Sequence, residues 1–147
     1  YAMVLSNQPE FFRSLRENAP GNLVFLPPVS LEEIVPFSNA FDIGLIPFFP
    51  TTFNLAHCLP NKFFEYLQAR LCILSTPLSE IGQFVSQQHC GVCAREFSVD
   101  SLLRALTSLS REDILAHKHR AHELAHTFSM ECNITKIRHI VMELLGF

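Results

Sequence analysis

Short apolar runs of strand length recur along the first two thirds of the chain, and a stretch with helical spacing follows each of them. The predicted strands are Ala2–Leu5, Leu23–Leu26, Ile43–Ile46, Leu71–Leu74 and Gly91–Cys93. The amphipathic stretches between them predict helices over Glu10–Glu17, Leu31–Ala40, Lys62–Ala69 and Glu80–Ser86. Continuously apolar strands that alternate with helices predict an α/β fold, in which helices cover both faces of a Rossmann-like parallel sheet.

The last third of the chain has helical periodicity only. We expect helices over Val99–Leu109, Arg111–Phe128 and Ile134–Leu145. Ser98 is placed to begin the first of these helices, and Gly146 is placed to cap the last. The predicted α/β domain therefore ends in a run of helices.

Composition and charge narrow the function classes. With 147 residues, of which 48% are hydrophobic and 17% charged, the chain can bury one core, which excludes disorder and predicts a single domain over residues 1–147. A net charge of −3 offers no electrostatic surface for nucleic acid or an anionic membrane. No apolar run reaches the roughly 18 residues that cross a bilayer. The sequence therefore predicts a cytoplasmic protein.

The start of the chain has no features of a targeting peptide, because no basic segment precedes its apolar residues. Tyr1 lies inside an apolar run, and no methionine precedes it. We therefore expect the natural protein to begin upstream of Tyr1.

One connection between predicted elements is longer than the others. Pro47–Leu59 is about twice the usual 2–6 residues of a strand–helix loop, and it follows the predicted strand Ile43–Ile46. Ligands of open α/β sheets bind beyond the carboxyl ends of the strands, where this loop begins. Pro60 suits the first position of the next helix, whose free amides form a site for phosphate. The sequence thus directs attention to residues 47–65.

The segment from Pro60 to Leu67, with the sequence PNKFFEYL, resembles the nucleotide-sugar-binding half of glycosyltransferases with the GT-B fold. The order of the flanking segments agrees with this resemblance, which extends from Tyr1 to Leu145. These segments are Asn22–Val29, Ala40–Pro47, Cys72–Ser75, Glu80-Ile81 and Phe128–Glu131. The resemblance implies a C-terminal donor-binding domain, whose N-terminal acceptor domain and first β–α unit lie outside the chain.

The resemblance also implies a set of substrate-binding residues. Glu65 would bind the ribose hydroxyls, Asn61 and Lys62 would lie near the diphosphate, and His57 would lie toward the sugar. The nucleobase would lie near Pro28 and Val29. The residue types support these roles, because a carboxylate accepts two hydrogen bonds from a vicinal diol and a cation in a first helical turn suits a bound diphosphate. The alternative is an exposed ion pair between Lys62 and Glu65.

By this resemblance, the whole enzyme would transfer a hexosyl group from a UDP- or GDP-sugar to a glycan, lipid or small-molecule acceptor. Holding the diphosphate leaving group is an electrostatic task, so no cofactor, metal ion or catalytic side chain of this chain is implied. The partners would be the donor and the N-terminal domain. Any association with a membrane would involve only the missing parts.

Two positions depart from the family pattern. The position eight residues before Glu65 often carries a second glutamate in retaining members, and here it is His57. The turn after the helix usually has a glycine where this chain has Arg70, which is strained if the turn needs a positive φ angle. These departures favour an alternative, a non-catalytic nucleotide-sugar-binding or regulatory module.

A second alternative is a zinc hydrolase, because His122-Glu123-Leu124-Ala125-His126 has the His-Glu-x-x-His pattern. Glu131, Cys132 and Glu143 are the nearby candidates for a third ligand, and none has a recognised spacing. We therefore expect an exposed histidine face that includes His119, and no metal site.

The five cysteines are predicted to be thiols of the core in a reducing compartment. Cys90 and Cys93 have the Cys-x-x-Cys spacing, but they flank a short apolar strand, and no second pair follows for a zinc ribbon. Cys58 beside His57 is not expected to act as a nucleophile, because adjacent residues rarely converge on one substrate.

Overall fold

The computed structural model of the chain describes residues 2–3 and 8–146, with an α/β architecture. Residues 1–34 and 35–147 form two compact units. In the first unit, β1 (Ala2–Met3) and β2 (Phe25–Leu26) pair in parallel, with α1 (Pro9–Glu17) between them in the sequence. The last two residues of the predicted strand Ala2–Leu5 lie outside the described residues. Of the predicted strand Leu23–Leu26, only Phe25 and Leu26 form a strand in the structure.

Aromatic contacts hold α1 against β2. The rings of Phe12 and Phe25 meet edge to face with their centroids 5.8 Å apart. The guanidinium of Arg16 lies 5.8 Å from the centroid of the first ring and 5.9 Å from that of the second. The next helix, α2 (Leu31–Ser38), begins where the Glu33 carboxylate accepts hydrogen bonds from the amide and hydroxyl of Ser30.

The second unit contains a parallel three-stranded sheet in the order β3–β4–β5 and most of the helices. Gly44 lies opposite Ile73, and Ile73 lies opposite Gly91. The elements that follow α2 are β3 (Ile43–Ile46), α3 (Phe53–His57), α4 (Asn61–Gln68), β4 (Cys72–Ser75), α5 (Ser79–Gln88), β5 (Gly91–Cys93), α6 (Val99–Thr107), α7 (Arg111–Thr127) and α8 (Met130–Leu145).

The central strand β4 is buried along its whole length, and its side chains alternate between two cores. Ile73 packs with residues of α4, α5 and α7 on one face of the sheet, including Phe63, Val85 and Leu124. Leu74 points to the opposite face and packs with Leu102 of α6. Helices therefore cover both faces of this parallel sheet, which confirms the coarse fold prediction.

Helix α7 lies along the edge of the sheet at which the strands begin. Lys118 donates to the carbonyl of Phe41 and to the Asp42 carboxylate, both at 2.9 Å, just before β3. Arg120 Nε donates to the carbonyl of Gln88 at 3.0 Å, at the end of α5, three residues before β5 begins. These contacts tie the two outer strands to one helix at the amino edge of the sheet.

The helix boundaries follow the sequence signals closely. The hydroxyls of Ser98 and Ser110 cap α6 and α7 by accepting hydrogen bonds from backbone amides in the first turn. Gly146 ends α8 with a φ of 74°. Strand β4 is shifted by one residue from the predicted Leu71–Leu74, and α8 begins four residues earlier than predicted, because Ser129 caps it. Among the described residues, no helix combines the length and apolar character that crossing a membrane requires.

The buried thiols behave as core residues. All five cysteines are free, and the side chains of Cys72 and Cys90 are fully buried. Burial raises the pKa of Cys72 from 9.0 to about 12, with a further contribution from Cys90, and burial raises the pKa of Cys90 from 9.0 to about 11. Both thiols are therefore neutral at physiological pH.

Gly44 is predicted to be intolerant of a side chain. A Cβ atom at this position would lie 2.5 Å from Cγ of the Tyr66 ring, which packs over the strand from α4. Gly44→Ala should therefore lower the free energy of unfolding by about 1–3 kcal/mol in urea denaturation. Gly21→Ala is the matched control, because a Cβ there would have nothing within 4 Å. Equal losses in the two variants would contradict the packing argument.

The raised pKa values of Cys72 and Cys90 predict a loss of stability at alkaline pH. The unfolded thiols ionise near 9.0, whereas the folded ones ionise at about 12 and about 11, so the folded state is disfavoured as the pH rises through this interval. Denaturation at about pH 8 and about pH 10.5 should show that the free energy of unfolding decreases by about 2 kcal/mol per thiol. Cys72→Val should remove part of this decrease, whereas Cys132→Val, on the exposed helix α8, should not.

Candidate functional site

The loop that follows β3 lies beyond the carboxyl ends of the strands, as predicted. The Thr76 amide, just after β4, donates to the carbonyl of Ile46 at 3.2 Å, and its hydroxyl donates to the carbonyl of Phe48. The ring of Phe49 lies 6.3 Å from the ring of Phe97, which follows β5. The loops after β3, β4 and β5 thus contact one another at the carboxyl edge.

A short helix interrupts the predicted loop. Helix α3 (Phe53–His57) begins where the Thr52 hydroxyl accepts the Leu55 amide at 3.2 Å. It ends before Pro60, since the residue before a proline is driven to an extended conformation. The prediction of an irregular connection over residues 47–59 was therefore wrong for these five residues.

Pro60 precedes α4 rather than occupying its first position. Its backbone is extended, with φ −72° and ψ 155°, and the first helical residue is Asn61. The prediction for Pro60 was therefore wrong by one residue. The predicted free amides at the start of the helix are still present. Pro60 gives no side-chain cap, and the backbone amides of Asn61 and Lys62 have no hydrogen bond to any described residue.

The predicted binding side chains of α4 lie on its outward face. Phe63 and Leu67 are one turn apart and buried against the sheet, so they fix the rotation of the helix. Asn61, Lys62 and Glu65 share the opposite face through their spacing. Asn61 and Lys62 are exposed, and Glu65 is half-buried. Because α4 runs back from the carboxyl end of β3 to the amino end of β4, its own amino end lies at the carboxyl edge.

Lys62 and Glu65 do not form the ion pair that was the alternative to a binding role. The ion pairs found among the described residues involve other side chains. The charge of Glu65 still affects its neighbour, because burial first, and the Glu65 carboxylate second, raise the pKa of Tyr66. Both charged side chains of α4 are therefore free to meet a ligand.

The other predicted site residues occupy two different places. His57 ends α3, and its Nδ1 atom lies 3.2 Å from Oγ of Ser79, the first residue of α5. Pro28 and Val29 belong to the first unit, between β2 and α2, where Pro28 is exposed and Val29 is half-buried. Sequence reasoning missed Ser79, whose contact with His57 joins two helices.

Arg70 has a positive φ angle, which is the condition under which the sequence predicted strain at this residue. Its φ is 60°, its amide donates to the carbonyl of Leu67 at 3.1 Å, and the Leu71 amide donates to the carbonyl of Tyr66 at 3.0 Å. These two bonds define a Schellman motif, in which glycine is the preferred residue at this position. Arg70 is therefore a strained residue in a turn that favours glycine.

The His-Glu-x-x-His segment of α7 does not form a metal centre in the part of the chain that the structure describes. His122 and His126 are exposed, as is His119, which confirms the predicted histidine face. Glu123 accepts a hydrogen bond from Arg120 at 2.7 Å, and that bond is the main cause of its lowered pKa. No group of three metal-ligating side chains occurs among the described residues. This geometry does not favour the zinc hydrolase.

Comparisons of the chain with protein-family models, with curated proteins and with solved structures found no match.

Replacing Arg70 with glycine should stabilise the protein. Glycine adopts a φ of 60° without steric cost, so Arg70→Gly should raise the free energy of unfolding by about 0.5–1 kcal/mol. Thermal and urea denaturation would measure the change. Arg95→Gly is the control, because Arg95 lies in a loop without a positive φ, and this variant should lose stability. A destabilised Arg70→Gly variant would indicate that the arginine side chain has a role of its own.

Proposed function

We propose that this chain is the donor-binding part of a GT-B glycosyltransferase, which binds a UDP- or GDP-sugar and transfers its hexosyl group to an acceptor held by an N-terminal domain. The observation that carries this proposal is the β3–α4–β4 unit. In it, Asn61, Lys62 and Glu65 share the outward face of α4 at the carboxyl edge of a parallel sheet. None of these three side chains has a polar partner among the described residues.

The chemistry of this helix suits a sugar nucleotide. Uncapped amides at the amino end of α4 attract anions, and the adjacent ammonium of Lys62 adds a full positive charge for a diphosphate. The Glu65 carboxylate, one turn further along, can accept two hydrogen bonds from the vicinal hydroxyls of a ribose. A nucleoside diphosphate contains both groups, joined through the 5′ carbon of one ribose.

The strand order of the second unit supports a Rossmann-like sheet there. Doubly wound sheets of this class have the strand order 3-2-1-4-5-6. In the second unit, β3, β4 and β5 are parallel neighbours in chain order, as strands 4, 5 and 6 of such a sheet are. Strand β3 is apolar and forms an edge of its sheet, a position that natural proteins protect with charges unless another strand pairs there. We therefore propose that the first β–α unit lies upstream.

Helix α8 supports the proposed N-terminal partner domain. None of its residues is buried, and Ile137, Ile140 and Leu144 are 60%, 53% and 80% exposed. Large exposed apolar surfaces mark contacts with other proteins or domains. We propose that the N-terminal acceptor domain covers this helix in the intact enzyme.

Glu65→Ala should abolish most of the nucleotide affinity of the chain. Calorimetric titration with UDP, GDP and ADP should show binding of one nucleotide. Loss of the carboxylate should weaken it about 10- to 100-fold, the effect of removing hydrogen bonds to a charged group. Glu65→Gln should have an intermediate effect, and Glu112→Ala, which removes an exposed carboxylate of α7, should have none.

Two results would separate this proposal from its alternatives. Absence of binding by all three nucleotides would contradict a donor site. Binding that depends on Glu65, without hexosyl transfer by the enzyme that includes the N-terminal domain, would favour a non-catalytic or regulatory module.

A further inference from the structure

The imidazole of His57 is held in a fixed orientation, although it lies at the surface. The ring of Phe53, one turn earlier on α3, lies with its centroid 4.7 Å from the imidazole centroid at an angle of 43°. On the other side, Nδ1 lies 3.2 Å from the hydroxyl oxygen of Ser79. Contacts from α3 and α5 therefore orient the ring.

The hydroxyl proton of Ser79 is committed to a hydrogen bond with the backbone of α3. Its Oγ atom donates to the carbonyl oxygen of Ala56 at 3.0 Å. In a continuing helix this carbonyl would accept the amide of the residue four positions later, which is Pro60, and proline has no N–H. The carbonyl of Ala56 thus depends on Ser79 for its hydrogen bond.

A serine hydroxyl has one proton, so Ser79 must act as the acceptor toward His57. The contact then requires a proton on Nδ1 of the imidazole, and the neutral ring has its lone pair on Nε2. Nε2 has no hydrogen bond to any described residue, and the side chain is exposed at the carboxyl edge. This nitrogen is therefore a free acceptor with a defined orientation.

We propose that Ser79 is a positioning residue that holds His57 in the Nδ1–H tautomer, so that Nε2 accepts a hydrogen bond from a hydroxyl of the sugar in the bound donor. The tautomer follows from the contacts of Ser79 alone, whereas the identity of the ligand rests on the proposed function. A neutral acceptor binds a hydroxyl group but not a carboxylate, because two acceptors form no hydrogen bond. At the sugar position that Nε2 contacts, the neutral imidazole therefore accepts a hydrogen bond from a hydroxyl group.

Nuclear magnetic resonance tests the tautomer directly. Long-range ¹H–¹⁵N correlation at about pH 8, where histidine is neutral, should show a protonated Nδ1 for His57, assigned by the loss of its signals in His57→Gln. Ser79→Ala should remove the tautomer preference, and Ser79→Thr should preserve it. Ser86→Ala, which alters an exposed serine of the same helix, is the control. A protonated Nε2 in the unmodified protein, or an unchanged spectrum in Ser79→Ala, would overturn the positioning role.

Calorimetry tests the sugar contact with UDP, UDP-glucose, GDP and GDP-mannose as ligands. His57→Ala should weaken binding of the sugar nucleotide about five- to tenfold and leave binding of the free nucleotide unchanged. Ser79→Ala should show part of this loss, and Ser79→Thr should restore the affinity.

The outcomes distinguish this inference from the proposed function. If UDP or GDP binds and His57→Ala weakens both forms of the ligand equally, or neither of them, the sugar contact is wrong and the donor site stands. If none of the four ligands binds, the donor site and the sugar contact both fall. In that case the spectrum of His57 still decides the role of Ser79.

Discussion

The burial of strand β4 is the constraint on which the second unit depends. Its four residues have no exposed face, so each of its neighbours must be a paired strand or a packed helix. The pairing with β3 and β5 satisfies its backbone, and the two cores on the opposite faces of the sheet bury the side chains of Ile73 and Leu74. The chain enters each parallel strand at the amino edge of the sheet and leaves it at the carboxyl edge. The connections between the strands must therefore cross the faces of the sheet, where the helices lie.

The two edges of the sheet consequently have different roles. At the amino edge, the side chains of α7 bind backbone carbonyls that precede β3 and β5, and long side chains are committed to holding the strands together. At the carboxyl edge, the loops contact one another, while Lys62 and Glu65 remain without ion pairs. This separation leaves polar side chains without ion pairs at the edge where ligands of open α/β domains bind, and it does not weaken the sheet.

Most of the fold was predictable because its signals are local. Strands β3 and β5 have the predicted bounds, and serine caps and a terminal glycine mark the late helices. Helix α3 was missed because five residues are too few to show a helical period. The face of α4 follows from the spacing of Phe63 and Leu67, so the candidate residues Lys62 and Glu65 could be placed. The contact of His57 with Ser79 could not, because it joins residues 22 positions apart in the sequence.

The break at Pro60 separates the orientation of His57 from that of Glu65. In one continuous helix, two residues eight positions apart would be held about 12 Å apart along the axis, and neither could be adjusted without moving the other. Here α4 is oriented by the sheet through Phe63 and Leu67, whereas the end of α3 is anchored to α5 through Ser79. The segments that carry His57 and Glu65 can therefore change independently during evolution. In the proposed donor site, a change of the sugar contact at His57 would leave the nucleotide contact at Glu65 in place.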